Sequence, residues 1–143
     1  MEQYALSIKR VIIAPVEKVF NAWTKPELVK QWFGSESVTT PKADIIPEKQ
    51  GAYNITMLTN QGKEIIVVGA IEEIVPNEKL VFTWKYKLED SAPTLVTINF
   101  KDLGDNKTEL ILTHEKFTTE KSKLAHENGW TSIINNLEKF LLV

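Results

Sequence analysis

His114 and His126 are the only histidines in the chain. They are also the only side chains whose unperturbed titration falls between pH 5 and 8. A metal site built on them would need carboxylates such as Glu115 or Asp44 to complete the ligand set. The two histidines fall on different predicted elements at no ligand spacing, so no metal site is expected. Glu115 follows His114 directly, and neighbours in a strand point to opposite faces. The two therefore form no dyad, and Glu115 reads as a cap or ion-pair partner. Glu72 and Glu73 alternate in the same way, so at most one faces inward. The chain has no Gly-x-Ser-x-Gly elbow, no phosphate-binding loop and no dinucleotide fingerprint. It also has no cysteine, which excludes disulfides, thiolate nucleophiles and cysteine-ligated metals. No catalytic residue and no cofactor are predicted. Two readings of His114 stay open. It ends a strand with its ring satisfied by hydrogen bonds, or it lies at a cavity mouth, where it orients a polar group or acts as an acid–base.

The aromatic residues offer a second chemistry, apolar binding. Phe20, Phe82 and Phe140 read as core, where each buries a large area. Phe33, Tyr53, Trp84, His114 and Trp130 are the candidate ligand-binding residues, with indole N–H and phenol O–H groups as polar handles. Which strand face is inward stays open, because a one-residue slip exchanges the faces.

Residues 4–13 alternate with Leu6, Ile8 and Ile12 on one side, which reads as a strand. Pro15 suits a first helical turn, and Val16, Val19, Phe20 and Trp23 follow at helical spacing. Thr24 with Glu27 reads as a capping box for a second helix, closed by Gly34. Residues 35–50 read as a loop with a short strand near Asp44–Ile46. From Gly51 to His114 the pattern is β, broken by turns at 60–63, 76–79, 88–93 and 104–106, as in an antiparallel meander. A long helix from about Thr119 to Leu142 presents Trp130, Ile133, Ile134, Leu137, Phe140 and Leu141 as one apolar face. Gly129 in that helix implies either a kink or close contact, or room for a ligand. The fold class is α+β, with helices on one face of an antiparallel sheet.

A length of 143 residues predicts one domain, residues 1–143. A net charge of −2 argues against a nucleic-acid partner. The apolar runs are too short to span a bilayer, no signal segment opens the chain, and the expected location is cytoplasmic.

Ile12-Ile13-Ala14-Pro15-Val16-Glu17, Trp23-Thr24-Lys25-Pro26-Glu27-Leu28, Gln31-Trp32-Phe33-Gly34, the stretch Gly69–Trp84 and the pair Gly129-Trp130 together resemble the START-like, or SRPBCC, superfamily. Within it the chain is similar to the family named for the activator of the heat-shock-protein-90 ATPase, in its C-terminal-type domain. The resemblance implies a helix-grip fold: a curved antiparallel sheet wrapped around the C-terminal helix, with a hydrophobic cavity between them. Three positions depart from the family pattern, Lys25, Ser35 and Gln50, all at caps or turns. The 143 residues contain nothing like the co-chaperone's N-terminal domain, so the family name does not imply its activity. The leading expectation is a small hydrophobic partner bound in the cavity. A chaperone as partner, through a stress-response interaction module, is the alternative. A cyclase, dehydratase or hydrolase using His114 is the third reading.

Overall fold

The computed structural model describes residues 3–34 and 37–142. Strand β1 (Tyr4–Ile12) is followed by helices α1 (Val16–Thr24) and α2 (Pro26–Trp32). Strands β2 (Val38–Ile45), β3 (Ala52–Thr59), β4 (Glu64–Val75), β5 (Lys79–Tyr86), β6 (Thr94–Gly104) and β7 (Lys107–Phe117) come next, and α3 (Glu120–Leu141) closes the chain. The seven strands form one antiparallel sheet in the order β1-β7-β6-β5-β4-β3-β2. The expected α+β helix-grip architecture is therefore the observed one. No helix among the described residues is long and apolar enough to cross a membrane.

Strand alternation builds the inner face. Leu6 and Ile12 of β1 are buried while Ser7, Lys9 and Val11 are exposed. Gly104, Asp105 and Asn106 have φ of 80°, 53° and 58°, the left-handed turn that suits a hairpin's twist. In β7 the alternation breaks at Lys116, whose φ is 75°. The bulge turns Lys116 outward and lets Phe117 follow His114 into the core.

A second irregularity lies where β4 passes Tyr53. Gly69 pairs with Tyr53 across β3–β4. A Cβ there would stand 2.1 Å from the Thr83 carbonyl oxygen and 2.7 Å from the Tyr53 ring. Glycine alone leaves that space, and through it the Tyr53 hydroxyl reaches over β4 to donate to the Thr83 carbonyl on β5. The Thr83 hydroxyl accepts from the Ala70 N–H at 2.9 Å.

Helix α3 opens at Thr119, whose side chain accepts from the Ser122 N–H at 3.1 Å. Its C-terminal half is tied down on two sides. Arg10 of β1 donates to Asn135 at 2.9 Å and pairs with Glu138. Asn136 donates to the Gly34 carbonyl beyond α2. The helix packs on β1, α2 and β7.

Three local expectations are corrected. The segment expected as a loop carries β2, eight residues long. Pro41 is tolerated because β2 is an edge strand with a register shift between Thr39 and Lys42. Thr24 does not cap α2. It is the last residue of α1 and its hydroxyl donates to the Phe20 carbonyl at 3.2 Å. Pro26 takes the first helical position and holds Lys25 extended as a cap without a side-chain bond. His114 does not end its strand, since β7 continues to Phe117. Of the departures from the family pattern, Gln50 adopts a φ of 69°, a conformation glycine takes more easily. Ser35 lies outside the described residues.

Replacing Gly69 by alanine drives a Cβ into the β5 backbone and breaks the Tyr53–Thr83 bond. The variant is expected to lose more than about 2 kcal/mol in urea unfolding. An unchanged midpoint would refute this account of the β4–β5 junction.

Candidate ligand cavity

The centre of the inner face is a buried polar chain. The Trp130 indole N–H on α3 donates to His114 Nδ1 at 2.9 Å. Nδ1 is thus the bare nitrogen, and a neutral ring carries its proton on Nε2. That nitrogen lies 2.6 Å from the Thr94 hydroxyl oxygen, which accepts from it. The Thr94 hydroxyl then donates to the Trp84 carbonyl at 3.1 Å. Every donor in the chain has an acceptor, and α3, β7, β6 and β5 are joined in sequence. His114 is wholly buried, at 0% exposure. Burial, with the nearby His126 imidazole acting in the same direction, lowers its pKa to about 3. A neutral ring with both nitrogens engaged offers no support for an acid–base role. The hydrogen-bonded reading of His114 is the one the geometry favours.

Around this chain Phe33, Trp84, His114 and Trp130 form one aromatic group. Ring centroids are 5.0 Å apart for Trp84–Trp130, 5.7 Å for Trp84–His114 and 5.9 Å for Phe33–Trp130. Tyr53 stands apart, edge-on to Phe82 at 5.5 Å. Phe33, Tyr53 and Trp84 meet at a pocket of about 30 Å³ under α1 and α2, room for little more than a water.

A larger cavity lies under the N-terminal half of α3. It measures about 160 Å³, with Met57, Ile65, Trp84 and Tyr86 on the sheet side and His126, Gly129, Trp130 and Ile133 on the helix side. That is about the size of an apolar cavity that admits benzene. Beyond Tyr86 and His126 a polar cleft of about 430 Å³ opens, bordered by Lys85, Glu89, Lys116 and Ser122. Trp84, Tyr86 and His126 wall both spaces. Of the residues singled out in the sequence, Trp84 and Trp130 therefore face the cavity under α3. Phe33 and Tyr53 face the small pocket, and Phe33 also borders a cleft of about 410 Å³ between α2 and the end of α3. His114 lines none of these four spaces.

Tyr86 and His126 as walls of the cavity are what sequence reasoning missed, whereas room at Gly129 was one of its two open readings. The Tyr86 hydroxyl lies 3.2 Å from His126 Nε2, and His126 Nδ1 is 2.8 Å from the Ser122 carbonyl. The carbonyl can only accept, so His126 carries its proton on Nδ1 and takes the Tyr86 proton at Nε2. Burial raises the Tyr86 pKa. The signals were in the spacing: Tyr86 is two residues from Trp84 on one strand, and His126 four from Trp130 on one helix. A Cβ on Gly129 would meet nothing within 4 Å, and α3 runs unbroken through it. A close helix–sheet contact is thereby excluded and the space is present. Among the described residues no three His, Cys, Asp or Glu side chains are placed to hold a metal ion.

His114 also sets an acid limit. Its ring takes a proton near pH 6.5 when unfolded and near pH 3 when folded. Between those values the unfolded chain binds the extra proton, so stability falls with falling pH by up to about 1.4 kcal/mol per unit. Urea unfolding across this window should show that extra slope in the wild type and lose it in His114→Gln. Equal slopes would refute the buried neutral ring.

Comparison with known proteins agrees with this fold. Residues 13–141 match the family described as Activator of Hsp90 ATPase homolog 1-like protein. No curated protein matches the sequence. Among solved structures, the AHSA1 protein of Silicibacter pomeroyi is 24% identical with a TM-score of 0.86, over 97% of this chain and 98% of its own. A protein of Chromobacterium violaceum is 20% identical with a TM-score of 0.85, over 96% of each chain. One from Rhizobium leguminosarum is 24% identical with a TM-score of 0.81, over 98% of this chain and 95% of its own. At these identities the structures share the fold, and the family match across most of the chain carries the assignment: this protein belongs to the Activator of Hsp90 ATPase homolog 1-like family.

Proposed function

We propose that this protein binds a small, largely apolar molecule in the cavity between the sheet and the N-terminal half of α3. The observation that carries this reading is the space of about 160 Å³ walled by Trp84, Trp130 and Gly129. The space opens to solvent, with Ala125 exposed on its rim, so a ligand can enter it without unfolding the helix. Apolar burial supplies the affinity, at about 25 cal/mol per Å². The polar cleft beyond Tyr86 and His126 provides a route from solvent.

Two observations support binding over catalysis by His114: its ring lines none of the four spaces described, and its Nδ1 lone pair is committed to Trp130. The alternative, a chaperone-interaction module, rests on the family name alone. A cytoplasmic location fits the absence of cysteine and is part of the same proposal.

Native mass spectrometry of protein purified from its own host, set against the denatured mass, tests the proposal. A reproducible excess mass that is lost on denaturation is expected. A clean mass, together with tryptophan fluorescence unmoved by a panel of small apolar compounds, would count against it.

A further inference from the structure

Lys116 holds a backbone conformation that suits a different residue. Its φ of 75° is left-handed, and of the described non-glycine residues found there Lys116 alone lies within a strand. The bulge itself is explained by Phe117, whose ring it brings to 4.3 Å from His114. The lysine is not explained by it. Glycine takes a left-handed backbone at lower cost than any long side chain. What lysine adds is a cation on a flexible stem, and bulges beside a site serve to re-aim a side chain. Lys116 is exposed and lines the polar cleft beyond Tyr86 and His126. No carboxylate among the described residues pairs with it.

That cleft continues the cavity under α3. Trp84, Tyr86 and His126 wall both spaces, whereas the cleft between α2 and the end of α3 shares only Val38 with the cavity. The two joined spaces differ in kind. Met57, Ile65, Gly129 and Ile133 make the cavity apolar. Gln3, Ser91, Thr118 and Ser122 make the cleft a surface for hydrogen bonds. At about 160 Å³ the cavity holds one six-membered ring. A longer molecule extends past Tyr86 and His126 into the cleft of about 430 Å³. The charged side chains bordering that cleft are Lys85, Lys116 and Glu89, two cations against one carboxylate. An ammonium has three donors and no acceptor. An acidic group answers it more strongly than a neutral one does, and an amine is repelled.

We propose that the ligand is an amphiphilic carboxylic acid. Its ring or short chain fills the cavity under α3, and its carboxylate lies in the cleft at Lys116. This rests on the cavity reading above and adds the ligand's chemical class, its direction in the site and the residue that selects its charge. Lys116 is then a specificity-determining residue.

The test uses four probes: 4-phenylbutyrate, 4-phenylbutan-1-ol, 4-phenylbutylamine and toluene. Each is titrated into the full chain and followed by tryptophan fluorescence and backbone N–H resonances. 4-Phenylbutyrate should bind about tenfold more tightly than the alcohol at low salt. The advantage should shrink as added salt screens the pair. Lys116→Gly should raise the thermal midpoint of the free protein by about 3 °C, because the left-handed strain is relieved. In the same variant the affinity for 4-phenylbutyrate should fall to that for the alcohol, with the alcohol unchanged. Lys116→Arg should keep the preference for the acid, and Lys116→Glu should turn it towards the amine. A lysine that served the bulge alone would leave all four affinities unmoved. Equal binding of acid and alcohol, or a preference for the acid that survives Lys116→Gly, would overturn the acid proposal and leave the cavity reading standing. An excess native mass belonging to a molecule without an acidic group would do the same. If no probe binds and the native mass is clean, both fail.

Discussion

The arrangement hangs on a neutral histidine buried in the core. An imidazole inside an apolar core is tolerable only if both nitrogens are matched. The chain from Trp130 through His114 and Thr94 to the Trp84 carbonyl provides that match. Each link has one permitted direction. Trp130 can only donate, so His114 must accept at Nδ1, donate from Nε2 and leave Thr94 to donate onward. Removing any member strands a buried partner, at a cost of about 1–3 kcal/mol. The chain therefore sets the position of α3 over β5, β6 and β7 more sharply than apolar contact does, since apolar contact tolerates sliding.

The cavity follows from where the helix is held. Arg10, Asn136 and Leu141 anchor its C-terminal half against β1 and the segment after α2. Trp130 anchors its middle. The first turns beyond carry Ala125 and Gly129, side chains too small to fill the distance to Met57 and Ile65. The gap lies at the edge of the core, with Ala125 exposed on its rim. Here the Tyr86–His126 pair on one side and Trp84 with Trp130 on the other hold it open. Trp84 connects the two systems: its carbonyl ends the structural chain, and its indole N–H is left without a partner.

Much of this was legible in the sequence, and the reasons are local. The period-2 alternation of β1, the 104–106 hairpin and the apolar stripe of α3 each depend on near neighbours, and each was read within a few residues. Trp84, Trp130, Phe33 and His114 were picked out as aromatics that the fold would gather, and they are gathered. The failures occurred where pairing across the chain overrides local preference. Pro41 reads as a breaker, yet an edge strand with a shifted register accepts it. His114 seemed placed for chemistry because nothing local shows that Trp130 and Thr94 will occupy both its nitrogens. Tyr86 and His126 were passed over although their spacings from Trp84 and Trp130 put them on the same faces. The missing information was that those two faces approach each other.

The tautomer and charge of His114 test the account at its centre. Long-range ¹H–¹⁵N correlation of the imidazole rings would read both at once. The account predicts a neutral His114 ring at pH 7 and still at pH 5, with the proton on Nε2 and Nδ1 bare. A ring protonated on Nδ1, or one charged at pH 5, would contradict it, because Trp130 could then not donate to His114 and the chain holding α3 above the cavity would not exist.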